Sequence, residues 1–446
     1  MGAFKAYDIR GKYGTDFKKE DVYKIGFFLP ELLNTKKILV GRDMRLSSPE
    51  IFAYLCKGIE DSGADVYNIG LSTTPMVYWA TAEYGFDASV MITASHNPKN
   101  DNGLKISKTG ALPVGYDTGL STLERWVKER VLTLPDVKGK TIDFPKQDEY
   151  LKYQKSWLEN IDNLKVTIDC SNGMASLFTR DLYGVGVDYM YDILDGTFPN
   201  HEANPLDMKN IVDIQKRVRK NHSDIGVIFD GDADRVMFID EKSNFISPDL
   251  MIAVLGHYFL EEKGLRGKVL QDIRTSKSVK TYIENLGGTM EMWRVGRAYA
   301  ALKLREIDGV FGGELAGHYY FRDFNYSDSG ILACTLLLRI FSKMKEKGIS
   351  VSEVIAGIVK YANSGEINFK LERKNEAMEA LRTYFTESES VVAFYDFDGY
   401  RIEFEKWWFN VRPSNTEPYL RLIVEAENAE LLQEKIGKAS EIINSL

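Results

Sequence analysis

Three carboxylates stand at alternate positions in DGDADR, namely Asp230, Asp232 and Asp234, and Arg235 closes the run. The run directly follows the apolar stretch DIGVIF. Such residues can converge on one hard cation only where the backbone turns at a strand end, and oxygen-only ligation suits Mg²⁺. Two other readings compete. Asp230, Asp232, Asp234 and Glu241 fall at positions one, three, five and twelve of a calcium-binding EF-hand loop. However, Arg235 stands where that loop needs glycine, and strand-like runs rather than helices flank it. A solvated acidic turn is the plainer alternative, but it leaves three crowded aspartates repelling one another. A divalent-metal site is the reading adopted.

A second loop, TASHNPKNDNGLKI, opens from the apolar run Ala88 to Ile92. It sets Ser95 at a polar tip beside His96, Asn97 and the turn-forming Pro98. An exposed hydroxyl there can carry a phosphoryl group, with Lys105 as a proton carrier or electrostatic partner. A Ser–His pair alone is weak evidence, and no Asp–His relay suggests a hydrolase triad. The run RPSNTEP, Arg412 to Pro418, places Arg412, Ser414, Asn415 and Thr416 in one tight turn. Their guanidinium, hydroxyls, amide and backbone N–H groups suit a phosphate, although a plain polar hairpin competes. In GGELAGH, Glu314 and His318 follow two glycines, and Glu314 can accept bonds from two neighbouring sugar hydroxyls. Capping of a following helix is the dull alternative. FKAYDIRGKYG puts Tyr7 and Arg10 in an early Gly-rich turn, which says little by itself.

These loops need strand ends to hold them. Lys37 to Val40 leads into GRDMRLSSPE, and a helix is expected from Pro49 to Ser62 with Ser48 as its N-cap. Asp65 to Ile69 and Ala88 to Ile92 are further strands, so strand, loop and helix alternate as in parallel α/β layers. The pattern restarts at Lys165 to Asp169 and Asp224 to Phe229, then again at Lys268 to Gln271, Thr289 to Trp293 and Asp308 to Phe311. The end of the chain differs. β-rich segments flank the hairpin-type pair Asp398–Gly399 and the 412–418 loop, before a helix from Asn428 to Leu446.

The chain has 446 residues, more than one core usually organises, and its composition is 44% hydrophobic and 27% charged, as in ordinary globular chains. The net charge of −8 argues against nucleic acid and requires any anionic substrate to be met by local cationic clusters. No run approaches a membrane span, and the N-terminus lacks the apolar core of a signal peptide. Cys56, Cys170 and Cys334 lie far apart without metal-ligand spacing, as expected of buried thiols in a reducing, cytoplasmic compartment.

In this order and spacing, TASHNP, DGDADR, GGELAGH and RPSNTEP resemble the α-D-phosphohexomutase family, most nearly its bacterial phosphomannomutase/phosphoglucomutase branch. The resemblance covers essentially the whole chain. It implies a heart-shaped molecule of three similar mixed α/β sandwich domains and a C-terminal α+β domain, divided as 1–148, 149–247, 248–364 and 365–446. These carry the phosphoserine, metal, sugar and phosphate loops in turn. It implies that Ser95 is phosphorylated at rest and binds Mg²⁺ with Asp230, Asp232 and Asp234. Arg235 would hold the phosphoserine, while Arg10, His96 and Lys105 move protons or stabilise charge. Tyr7, Arg274, Arg297, Glu314 and His318, with the 412–416 loop, would bind substrate.

The implied reaction interconverts hexose 1-phosphate and hexose 6-phosphate through a hexose 1,6-bisphosphate, which is intermediate and activator. The partners implied are small phosphosugars, with the protein a monomer or weak dimer. Ala316 stands where the branch usually has Ser, Arg297 where His is frequent, and Arg274 where Lys is frequent. These departures bear on glucose, mannose or aminosugar preference, with an aminosugar phosphate mutase the nearest alternative. A metal-dependent phosphatase using Asp230 and a catalytically silent sugar-phosphate sensor are the remaining rivals. Removal of the Ser95 hydroxyl separates all three.

Overall fold

In the computed structural model, which describes residues 2–414 and 418–446, the apolar runs of the sequence become the inner strands of separate sheets. Among the described residues there are four sheets. The first orders Ile9–Lys12, Asp101–Lys108, Ala88–Ile92, Lys37–Arg42, Asp65–Leu71 and Thr141–Asp143 side by side. The second runs Phe245–Ile246, Val236–Asp240, Ile225–Phe229, Val166–Asp169 and Asp188–Met190. The third runs Thr289–Trp293, Lys268–Asp272, Phe311–Gly313, Tyr319–Phe321 and Ser327–Asp328. The last joins Ala362–Asn363, Tyr419–Ala426, Trp407–Pro413, Tyr400–Glu403 and Ala393–Tyr395.

Strand–helix alternation predicts parallel layers, and the first three sheets are instead mixed. In each, a strand with a parallel neighbour turns through a loop and returns antiparallel beside itself. Ala88–Ile92 returns as Asp101–Lys108, Ile225–Phe229 as Val236–Asp240, and Phe311–Gly313 as Tyr319–Phe321. A short loop can join only antiparallel neighbours, whereas parallel ones need a crossover. The fourth sheet repeats the device with Trp407–Pro413 and Tyr419–Ala426. The loops after Ile92, Phe229 and Gly313 are therefore each the turn of an antiparallel pair inside a sheet. The segment after Glu314 enters a strand, so the helix-capping alternative for GGELAGH falls away.

Helices cover the sheets closely. The helices Lys19–Leu32 and Ser48–Asp61 cross at glycines. A Cβ on Gly26 would lie 2.2 Å from the Leu55 carbonyl oxygen, and one on Gly58 would lie 2.1 Å from that of Tyr23. Ser47, not Ser48, occupies the N-cap position, because the Ser48 hydroxyl donates to Asp43 at 2.6 Å instead. The helix Thr74–Glu83 is apolar on nearly all sides and buried, with Thr73 accepting from the Met76 N–H at 3.1 Å as its cap. It binds the first unit to the second, since Trp79 packs on Tyr150 and Tyr150 on Phe178. The long helix Gly330–Glu346 is buried from Gly330 to Ser342, and Thr335 on it meets the Tyr183 hydroxyl at 2.9 Å. The closing helix, Ala429–Asn444, is capped by Asn428, close to its expected limits. The three cysteines are free and buried. No helix among the described residues is long and apolar enough to cross a membrane.

Candidate active site

Ser95 sits at φ +52°, a left-handed conformation that costs a residue with a Cβ about 1–2 kcal/mol and persists only where its surroundings impose it. Arg45 imposes it. Its guanidinium, fully buried, donates to the carbonyl oxygens of Ser95 and Asn97 at 2.7 Å each, and to those of Pro98 at 2.7 Å and Asp101 at 2.9 Å. Asp43 balances the charge at 3.2 Å, and the ring of Phe198 from the second unit lies over the guanidinium at 5.2 Å. The Thr93 hydroxyl accepts from the Ser95 N–H at 2.9 Å. The loop is thus gripped through its main chain, and the Ser95 hydroxyl is left to face the metal loop.

There it donates to Asp230 at 2.7 Å, while His96 Nδ1 lies 3.3 Å away. Gly231 permits this approach, because a Cβ on it would stand 2.5 Å from the Ser95 carbonyl oxygen. Asp230, Asp232 and Asp234 are fully buried, each with a carboxylate oxygen within 4.8 Å of the others. Ala233 between them adopts φ +61°, which supplies the turn expected at the strand end. Lys105 reaches across from the first unit, 2.6 Å from Asp232 and 2.5 Å from Asp234. Thr74 donates to Asp232. Burial, then the neighbouring Asp234 and Asp232, push the Asp230 carboxyl far above its ordinary range. One oxygen on each of Asp232 and Asp234 is buried with no hydrogen-bond partner among the described residues. Three buried carboxylates, two with orphaned oxygens, suit a hard divalent cation.

The cationic residues close a cavity of about 160 Å³ above this centre. Arg10 donates to Asn97 at 3.1 Å and pairs with Asp8. Arg235 donates its N–H to Asp230 at 3.2 Å, and its buried Nε has no partner among the described residues. Burial and then the charges of Arg235 and Arg10 hold the His96 imidazole well below its ordinary pKa, so it is neutral near pH 7. Lys105 is the opposite case. Burial works against its charge, but Asp232 and Asp234 outweigh it and hold the ammonium firmly protonated.

The third unit supplies the far wall. Glu314 accepts from Tyr320 at 2.6 Å on one oxygen and from the Gly296 N–H at 3.3 Å on the other. Each carboxylate oxygen has two acceptor sites, so each can accept one further hydrogen bond. The His318 ring places Nδ1 2.7 Å from Asp328, directing Nε2 elsewhere. Arg297 is turned toward the first unit: it pairs with Asp328 at 3.0 Å and lies 3.7 Å over the Tyr78 ring. Tyr7 donates to the Val295 carbonyl at 3.1 Å, and burial, foremost, raises its phenol to about 12.

Arg274 is held by Asp272 through Nε at 3.1 Å and Nη2 at 2.7 Å. From the fourth unit, Arg401 donates to the carbonyls on either side of it, Ile273 at 2.8 Å and Thr275 at 2.7 Å. Arg412, buried, lies one residue before the end of its strand, and Ser414 donates its N–H to the Tyr419 carbonyl at 2.9 Å. Asn415 and Thr416 lie outside the described residues. Arg45, Thr74, Asp328 and Arg401 are not marked by any sequence motif. Arg45 is the second arginine of GRDMRLSS, and its partners are carbonyls some 50 residues away.

Sequence profiles described as phosphoglucomutase/phosphomannomutase domains I, II, III and the C-terminal domain match residues 1–130, 148–243, 247–361 and 366–436. A phosphomannomutase of Methanocaldococcus jannaschii is 34% identical over 99% of this chain and 98% of its own. The crystal structure of a phosphoglucomutase/phosphomannomutase family protein from Burkholderia thailandensis superposes with a TM-score of 0.88 at 25% identity, covering 99% of this chain and 97% of that one. An Aspergillus fumigatus N-acetylphosphoglucosamine mutase, solved with GlcNAc-6P and magnesium, shares the fold more distantly. Its TM-score is 0.56 at 16% identity, covering 92% of this chain and 82% of that one.

Proposed function

The chain belongs to the phosphoglucomutase/phosphomannomutase family, and we propose that it interconverts hexose 1-phosphate and hexose 6-phosphate with Ser95 carrying the travelling phosphoryl group. It is an isomerase acting by phosphoryl transfer within a sugar. The observation that carries the role of Ser95 is its position: a strained, main-chain-clamped serine 2.7 Å from a buried aspartate triad, beneath a cationic rim. We divide the work by the units 1–148, 149–247, 248–364 and 365–446, each lending one loop to the cleft.

Asp230, Asp232 and Asp234 fit Mg²⁺, which when bound supplies electrophilic stabilisation of the phosphoryl oxygens. The chain's own groups do the rest. Lys105, fixed as a cation, offsets negative charge and aligns Asp232 and Asp234. Arg235 and Arg10 face the same space and balance charge on the phosphoserine. His96, neutral and beside Ser95, is the acceptor placed to take a proton from the attacking sugar hydroxyl and return it in the reverse transfer. Glu314 reads two adjacent hydroxyls, and Arg412 with Arg274 meets the phosphate that is not travelling. The bisphosphate formed by the first transfer turns over in the cleft and returns its other phosphate to Ser95. Glu314 suits both orientations if it reads O3 and O4, which nearly exchange places on turning.

The test is a coupled assay of glucose 1-phosphate and mannose 1-phosphate with Mg²⁺ and catalytic glucose 1,6-bisphosphate, run beside intact mass. Turnover with a phosphate adduct mapping to Ser95 is expected. Release of free phosphate that survives Ser95→Ala would replace the mutase reading with a phosphatase. A phosphorylated Ser95 that turns over only aminosugar phosphates would move the substrate assignment, with Ala316 and Arg297 the residues to exchange first.

A further inference from the structure

Three arginines from two units converge on one carboxylate at the seam between the third and fourth units. Glu366 lies 3.1 Å from Arg421, 3.5 Å from Arg412 and 3.9 Å from Arg274. It precedes the strand Ile367–Lys370, just past the point where the chain crosses between the units. That crossing is fastened on both sides: the Lys360 N–H donates to Ser278, and the Asn363 amide donates to Glu425. The site is built for an anion larger than a carboxylate. Asp272 takes two of Arg274's donors, so only Nη1 is turned toward Glu366. The buried Arg412 Nε has no partner among the described residues. All three contacts are longer than the 2.7–2.9 Å of a good charge-assisted bond. Beside them lies a cavity of about 550 Å³ lined by Arg274 and Glu366.

Resting on the reading of Arg412 and Arg274 as the phosphate grip, we propose that Glu366 is an internal competitor for the substrate's non-travelling phosphate. Its single negative charge fills a place that a phosphate dianion, with more acceptors and more charge, fills better. A phosphate entering the site displaces the carboxylate, and the carboxylate returns when the phosphate leaves. This matters for an enzyme whose intermediate must let go of one grip, turn and bind again. A site made only of arginines would hold the bisphosphate fast. A resident carboxylate lowers the affinity of both orientations alike and shortens the time each is held. Glu366 is thus a residue that sets affinity and release, and it takes no part in bond making.

The experiment uses the full chain and the isosteric variant Glu366→Gln, with inorganic phosphate as probe by calorimetry and glucose 1-phosphate in the coupled assay. Glu366→Gln is expected to bind inorganic phosphate about tenfold more tightly, the size of one charge-assisted interaction. KM and kcat are expected to fall together, with slower escape of labelled glucose 1,6-bisphosphate. Unchanged or weaker phosphate binding with a raised KM would overturn the proposal, since Glu366 would then only orient the arginines. Arg412→Gln separates the two layers of the argument. It should weaken phosphate binding in the native and Glu366→Gln backgrounds alike. If it changes neither phosphate binding nor KM, the phosphate grip itself is misassigned and the proposal falls with it.

Discussion

Arg45→Lys tests whether the grip on the main chain of the 95–101 loop is what poises the nucleophile. The guanidinium makes four bonds to carbonyls and pairs with buried Asp43. An ammonium keeps the charge but has three donors radiating from one point, so one or two of the four carbonyls lose their partner. Hydrogen bonds to charged groups are worth about 1.5–3 kcal/mol each. A net loss of about 2–3 kcal/mol exceeds the ~1–2 kcal/mol needed to hold Ser95 left-handed, so the loop relaxes away from Asp230. At about 1.4 kcal/mol per factor of ten, the competent population and kcat fall about 30- to 150-fold. KM should move little, because no sugar contact is lost. The assay is steady-state turnover with phosphoserine content by intact mass, beside thermal melting to confirm that the variant is folded. A folded Arg45→Lys enzyme within threefold of native kcat would refute the reasoning and leave Thr93 and Asp230 as the determinants of the loop.

Ser95→Ala should abolish phosphate incorporation and lower turnover more than ~1,000-fold, as expected when a covalent carrier is lost. Residual mutase activity with no adduct would contradict the assignment. Lys105→Met removes the only ammonium in contact with Asp232 and Asp234 among the described residues, so Mn²⁺ affinity read by electron paramagnetic resonance should rise while turnover collapses. A fall in metal affinity would show that Lys105 shapes the site rather than competing with the ion. Asp61 is a case of pH-linked stability. Burial raises its carboxyl, but bonds from Lys138, Tyr23 and Lys57 outweigh this and bring it to about 2 from 3.8. Its folded pKa is depressed, so its contribution is complete above pH 4 and is lost as the pH falls through about 2. The gap in urea midpoint between native and Asp61→Asn protein should be constant from pH 5 to 7 and shrink below pH 4. A gap independent of pH would assign the effect to packing.

The chemistry was legible where it rests on residue type at a strand end. DGDADR needs only three carboxylates and a turn to announce a metal site, and the fold supplies the turn at Ala233. Ser95, Glu314 and Arg412 stand at or near strand ends in the same way, and their proposed roles rest on that placement. What the sequence hides is the partner of each group. Lys105 meets Asp232 across 127 positions, a partner that nothing local announces. Arg297 lines the cavity beside Ser95 while it pairs with Asp328 and lies over Tyr78, partners that no local pattern reveals. Ser48 reads as the cap until Asp43 claims its hydroxyl and Ser47 takes the position. Mixed sheets were hidden because alternation reveals the order of elements and not their direction. The returning antiparallel strand is fixed by loop length and by which edge remains open.

Arg45 and Arg401 grip carbonyls, and a carbonyl is the one group that every residue type carries. Replacement of Lys99 or Asn100 therefore leaves the clasp on the nucleophile's loop intact, whereas Arg45 itself has no substitute of equal reach. In the same way, Arg401 pins the main chain on both sides of Arg274 and is indifferent to what residue 274 is. A lysine at 274 would therefore leave intact the bonds that hold the backbone presenting it.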